Sequence, residues 1–325
     1  MSGNDTAACI LERYCIVVGR SFTFLVDEGT MILTDAPFPG LDGVTLALVG
    51  CSEKGYLDVK VTCEGAPGHS SLPLPGDTSI TVMGKAIAAL HSTPMPTHFD
   101  SESPMRKMLD GMAPYMSFPW RILMCNLWLS APLVKAAILS KGGGAAAMMR
   151  TTTVMTIAKA GDKANVVPPK GELIINHRLH PYDTAAEVLA HDRKVLSGIK
   201  IKDPYANDDT KKPLQIAAEP ACHGPKNEAS PVQRGPNFDL IAATNSEVYG
   251  VATVPSIMVA ATDTPHYVDL CDEVYRFSPL RLHMQDPSGI GGLEMFHGED
   301  ERITASALVT QVAWYRKLVE SACSK

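Results

Sequence analysis

Gly55-Tyr-Leu-Asp-Val-Lys-Val-Thr-Cys63, followed by Gly68-His-Ser-Ser71, is the stretch on which the fold reading turns. Leu57, Val59, Val61 and Cys63 fall on one face, while Asp58, Lys60 and Thr62 fall on the other. That period of two predicts a half-buried strand. Downstream, a helix opens near Asp77 or Thr78, carries Ile80, Met83, Ile87 and Leu90 on one stripe, and stops at Pro94 and Pro96. Strands resume at Thr151–Ala158 and Glu172–Leu179, and Thr184 with Glu187 forms a capping box that opens a second helix. A further strand near Pro213–Ala217 completes a ferredoxin-like β-α-β-β-α-β order, with a helical insertion in its middle.

The flanks read differently. Apolar, β-branched runs at Cys15–Val26, Val44–Val49 and Ser256–Ala261 predict buried strands of an α/β sheet. The last helix shows Leu308, Val312, Tyr315 and Leu318 on one stripe. The expected fold class is therefore α/β, with a small α+β domain inserted into a larger α/β domain.

Composition narrows the partners. A net charge of −6 with no basic stripe argues against nucleic acid. The eight cysteines contain no C-x-x-C pair, so neither a zinc knuckle nor a redox motif is read, and a reducing compartment is mildly preferred. Met1–Thr6 carries no basic-then-apolar signal pattern. The most apolar stretch, Leu123–Leu139, is interrupted by Asn126, Pro132 and Lys135 and reads as too broken to span a bilayer.

Four segments can carry chemistry. Asp27 and Glu28 end an apolar strand, where open α/β sheets place their ligands; such acids also cap turns. His69 lies on a turn between Gly68 and two small hydroxyl residues, exposed to a ligand or to solvent alone. Asn165-Val-Val-Pro168 precedes Arg178, which shares a strand face with Glu172, Ile174 and Asn176. Arg178 can grip a carboxylate bidentately, or pair with a neighbouring acid. Finally, Thr262-Asp-Thr264 and Phe296-His-Gly-Glu299 place His297 in a loop from which an imidazole can reach a metal, with His223, His266 and His283 as competitors.

Taken together, Gly55-Tyr-Leu-Asp-Val-Lys-Val, Gly68-His-Ser-Ser, Asn165-Val-Val-Pro, Arg178, Tyr275-Arg-Phe-Ser-Pro-Leu and His297-Gly resemble carboxypeptidase S and its relatives. These are the dimerisation-domain zinc peptidases, a family that includes aminoacylase and the N-fatty-acyl-amino-acid hydrolases. The resemblance implies a zinc-exopeptidase-like catalytic α/β domain (1–54 and 226–325) with an inserted lid, or dimerisation, domain (55–225). The helical insertion at about 100–149, including Trp120, Leu127, Trp128 and Leu129, is expected inside that lid, as core or as a wall for an apolar acyl or side chain. The resemblance also implies two zinc ions, with Asp27 a ligand of one and His297 of the other. His69 is implied to polarise the scissile carbonyl, and Asn165 and Arg178 to hold the substrate. The implied substrate is a small peptide or N-acyl amino acid, cleaved at an amide next to a free carboxylate, and a homodimer through the lid is implied.

The family's H-x-D motif, bridging Asp and Glu-Glu pair precede the segment matching Asp27. Here 26 residues precede it, with no His and two acids, Asp5 and Glu12. The expectation is a truncated chain that hydrolyses poorly and whose lid resists protease better than the rest. The alternatives are a non-catalytic carboxylate-binding or dimerising relative, and a metal site rebuilt with His266, Asp263 or Glu28. Pro265 also departs from the Arg more usual after Thr-Asp-Thr.

Overall fold

Period-two alternation at residues 55–63 becomes a strand whose apolar side chains are wholly buried, and the rest of its unit assembles around that face. The computed structural model describes residues 21–73, 75–203, 216–220, 235–283 and 301–324. In chain order the strands are β1 (Phe22–Thr34), β2 (Thr45–Glu53), β3 (Gly55–Glu64), β4 (Gly68–His69), β5 (Thr152–Ala160), β6 (Val166–Val167), β7 (Lys170–Leu179), β8 (Ile216–Pro220), β9 (Ala252–Met258) and β10 (Cys271–His283). The helices are α1 (Ser79–Ser92), α2 (Pro104–Met112), α3 (Trp120–Cys125), α4 (Leu127–Lys141), α5 (Gly143–Ala147), α6 (Ala185–Ser197), α7 (Pro236–Tyr249) and α8 (Ala305–Cys323). They form two compact units, one of residues 54–98 and 150–229, the other of the remainder.

In the first of these units the sheet order is β5-β7-β3-β8, with every neighbouring pair antiparallel. This is the ferredoxin-like arrangement that the strand and helix order predicts. One face buries Leu57, Val59, Val61, Leu173 and Ile175 against Val82, Ala86 and Leu90 of α1 and Val188 and Leu196 of α6. Thr78 and Thr184 cap the two helices through complete capping boxes, each cap contributing roughly 1 kcal/mol. The expected strand at 213–217 appears as β8, with residues 213–215 outside the described residues.

The other unit is an α/β sheet of order β1-β10-β2-β9. Parallel pairing joins β1 to β10 and β2 to β9, while β2 runs antiparallel to β1 and to β10. Around Arg276, β10 lies between Asp27 of β1 and Gly50 of β2; beyond a bulge at residues 28–31, β1 pairs with β2 directly through Ile32–Thr34. Thr30 pins the switch: its hydroxyl accepts from Gly50 N–H at 2.9 Å and shares its proton between the carbonyls of Leu48 and Arg276.

Two expectations are corrected. Residues 99–149 lie between lid elements in sequence, yet they pack in the α/β unit. Met105, Met108, Leu109 and Met112 of α2 bury against Leu46, Leu48 and Val254, and Gly111 brings the helix so close that an added Cβ would lie 2.8 Å from Val254. Burial of such side chains is worth roughly 1.5–3 kcal/mol each, which fixes where the segment docks. Of the insertion's named apolar residues Leu127 is buried, whereas Trp120, Trp128 and Leu129 are exposed. In α8 the buried pair is Trp314 and Leu318, while Leu308, Val312 and Tyr315 face solvent. Trp314 wins because it fills the core beside Phe277 and its indole donates to Asn245 Oδ1 at 2.7 Å.

A Cβ on Gly29 would sit 2.5 Å from Arg276 Cβ, whereas one on Gly84, exposed in α1, meets nothing within 4 Å. Gly29→Ala is therefore expected to destabilise by about 1–3 kcal/mol, and Gly84→Ala to stabilise by about 0.5–1 kcal/mol. Urea unfolding distinguishes them; equal midpoints would contradict the close packing of β1 on β10.

Candidate functional site

Asp27 stands on β1 directly before the bulge, and its Oδ1 accepts from the N–H of Glu28 at 2.9 Å. The adjacent Glu28 carboxyl is raised to about 7, chiefly by a side-chain hydrogen bond shared with Asp27, then by burial and by the Asp27 charge. Asp27 Oδ2 is shut from solvent and has no hydrogen-bond partner among the described residues. A carboxylate oxygen buried without a donor is one that a zinc ion would satisfy if bound there. His297 lies outside the described residues. Among the described residues no three His, Cys, Asp or Glu side chains come together to hold a metal.

Behind Asp27 lies a buried charge pair. Arg276, fully buried, donates from Nε to Glu53 Oε2 at 3.2 Å and from Nη2 to Thr264 Oγ1 at 2.9 Å. Glu53, at the end of β2, also accepts from Thr262 N–H at 2.9 Å, from Thr264 Oγ1 at 2.7 Å and from the Thr262 hydroxyl. Burial pushes Arg276 below its usual value, and the Glu53 charge works against that shift. The pair thereby ties the Thr262–Thr264 turn to the strand partner of Asp27.

The ferredoxin-like unit holds the other named residues. His69 and Asn165 come together: β4 pairs with β6, placing His69 opposite Val166, and Ser70 N–H donates to the Asn165 carbonyl at 3.1 Å. Both side chains are exposed, and His69 Nδ1 lies 2.7 Å from Ser71 Oγ. Arg178 stands elsewhere, on the four-stranded sheet, opposite Tyr56 and Thr152. Its guanidinium lies over the Tyr56 ring, 4.7 Å from the centroid, a cation–π contact worth roughly 0.5–2 kcal/mol. Arg178 Nη1 is buried and without a hydrogen-bond partner among the described residues. Directly before β3, the Lys54 ammonium donates to the Arg150 carbonyl at 2.9 Å, and burial lowers its value to about 7.

Residues 51–203 match the family model of the peptidase dimerisation domain. The N-fatty-acyl-amino acid synthase/hydrolase PM20D1 of Mus musculus is 34% identical over 94% of this chain and 56% of its own length. The probable carboxypeptidase S-like 2 of Dictyostelium discoideum is 34% identical over 99% of this chain and 57% of its own. The chain belongs to the M20 peptidase family. It spans about half the length of the curated M20 relatives it matches. Among solved structures, a tripeptidase from Staphylococcus aureus aligns with a TM-score of 0.49 at 12% identity, covering 86% of this chain and 54% of that one.

The buried Glu53–Arg276 pair and, in the other unit, the Tyr56 stacking and buried Lys54 escaped the sequence reading. A charged Glu53-Lys54 pair directly after the apolar run of β2 was the available signal, since such charges are buried only when paired. Thr262 and Thr264 were noticed, but not their partner.

Because Glu28 is raised in the folded protein, the fold binds more protons than the unfolded chain between about 4.5 and about 7. Its contribution to stability thus falls as pH rises through that window. In Asp27→Ala, Glu28 is expected to titrate markedly lower by carboxyl NMR, and this slope should shrink. A Glu28 still titrating near 7 would contradict the shared hydrogen bond as cause.

Proposed function

We propose that this chain carries the carboxylate-holding lid and part of the metal-bearing domain of a hydrolase that cleaves an amide next to a free carboxylate. The observation that carries the reading is Arg178: a guanidinium held flat over Tyr56, with Nη1 buried and without a partner among the described residues. Such a group is preorganised for a planar anion, because the protein has already met the cost of burying its donor. The names of the M20 relatives point to the same chemistry. N-fatty-acyl amino acids and the peptide C-termini cut by a carboxypeptidase both set an amide beside a free carboxylate.

In this reading Arg178 holds the carboxylate, Asn165 donates to the substrate's amide carbonyl, and the exposed His69 imidazole polarises the scissile carbonyl. Asp27 and His297 would each hold one of two zinc ions. A bound zinc would supply Lewis-acid activation of water and of the carbonyl. Pairing of two chains through the lid belongs to the proposal as well. It is supported by the match to a dimerisation domain and by edge strand β5, which leaves Val154 and Ile157 exposed.

Calorimetric titration with an N-acyl amino acid and with its carboxamide tests this directly. The carboxylate is expected to bind more tightly, and Arg178→Ala to weaken it about 10–100-fold, as for a hydrogen bond to a charged group, while leaving the carboxamide unchanged. Equal binding of both compounds, or no loss in Arg178→Ala, would contradict the assignment.

A further inference from the structure

Helix α4 (Leu127–Lys141) is apolar on every side, yet it is buried on one side alone. Leu127 and Val134 face the core with Ala131 and Ile138 packed beside them. The opposite face presents Trp128 (78% exposed), Leu129 (68%) and Leu133 (65%). The preceding segment adds Phe118 (79%) and Ile122 (58%). A helix apolar all round normally sits in a core or a bilayer, and a run of exposed large side chains marks an interaction surface.

Charge selects the occupant. In a chain of net charge −6, no Asp or Glu occurs between Asp110 and Asp162. Arg121, Lys135 and Lys141 are the charged residues of α3 and α4. A second copy seated by a two-fold axis on this face would set the same three cations against one another with no acid in the segment to neutralise them. An anionic lipid surface meets both features: it takes apolar side chains and attracts each cation. No helix among the described residues is long and apolar enough to cross a membrane, and at 15 residues α4 reaches roughly 22 Å, short of the ~30 Å hydrocarbon core. Exposed Trp and Phe favour the water–lipid boundary.

We propose that α3 and the outer face of α4 form a docking surface for anionic phospholipid bilayers, lying in the plane of the interface. Trp128, Leu129 and Leu133 enter the acyl boundary while Lys135 and Lys141 remain at the headgroups, the arrangement of in-plane membrane helices. The surface is independent of the carboxylate site and goes beyond the hydrolase reading.

Co-sedimentation with vesicles of phosphatidylcholine, alone or mixed 3:1 with phosphatidylglycerol, tests it. The whole chain is expected to bind the mixed vesicles at least about 10-fold more tightly, with tryptophan emission shifting to the blue and binding weakening as salt is raised. Trp128→Ser with Leu133→Ser should reduce binding about 10-fold or more, and Lys135→Gln with Lys141→Gln should remove most of the preference for anionic lipid. Both variants alter side chains outside the core, and unchanged circular-dichroism melts will verify that they fold. Equal binding to both vesicle types overturns the proposal, as does full binding by the Trp128/Leu133 variant. Self-association in sedimentation velocity that those two substitutions abolish, without vesicle binding, also overturns it and assigns the face to a second copy.

Discussion

One buried ion pair, Arg276 with Glu53, organises the α/β unit. Burying a guanidinium and a carboxylate costs several kcal/mol each, and the cost is offset only when nearly every donor and acceptor finds a partner. Here Thr262, Thr264 and the Val274 carbonyl complete the set. The consequences spread outward. Arg276 brings β10 so close to its neighbours that Gly29 and Gly50 face it without room for a larger residue. Asp27 stands at the edge of the bulge in β1, with one oxygen buried and without a donor among the described residues.

The ferredoxin-like unit solves a different problem with simpler means. Its helix-covered face is aliphatic, and its polar face carries Tyr56, Asp58, Asn176 and Arg178 in register across β3 and β7. Asn176 donates to Asp58 and Tyr56 donates to the same carboxylate, so Asp58 is occupied by neutral donors. Arg178 stacks on the Tyr56 ring, with Nη1 buried and without a hydrogen-bond partner among the described residues.

Much of this was legible in the sequence where the signal is local. The alternation from Leu57 to Cys63, the Thr184–Glu187 capping box and the position of Arg178 on its strand each depend on a few neighbouring residues. Features set by distant contacts were not legible. Residues 99–149 follow one lid element and precede another, so sequence order assigns them to the lid; the burial of Met105, Met108 and Leu109 against β9 decides otherwise. The stripe Leu308–Val312–Tyr315 has helical spacing, yet Trp314, one position off it, has the larger area to bury and the indole donor to satisfy. Glu53 and Arg276 lie 223 residues apart, and no local pattern announces their pairing.

The central claim is that this pair acts as one unit, and a double-mutant cycle measures that most directly. Glu53→Gln, Arg276→Met and the double variant are compared with the parent by urea unfolding. Each single change leaves an uncompensated buried charge and should cost about 3–5 kcal/mol. The double change should cost less than the sum by about 2 kcal/mol or more, as expected of directly coupled residues. Additive losses, within about 0.5 kcal/mol, would contradict the account, because they would mean that the two charges are stabilised separately.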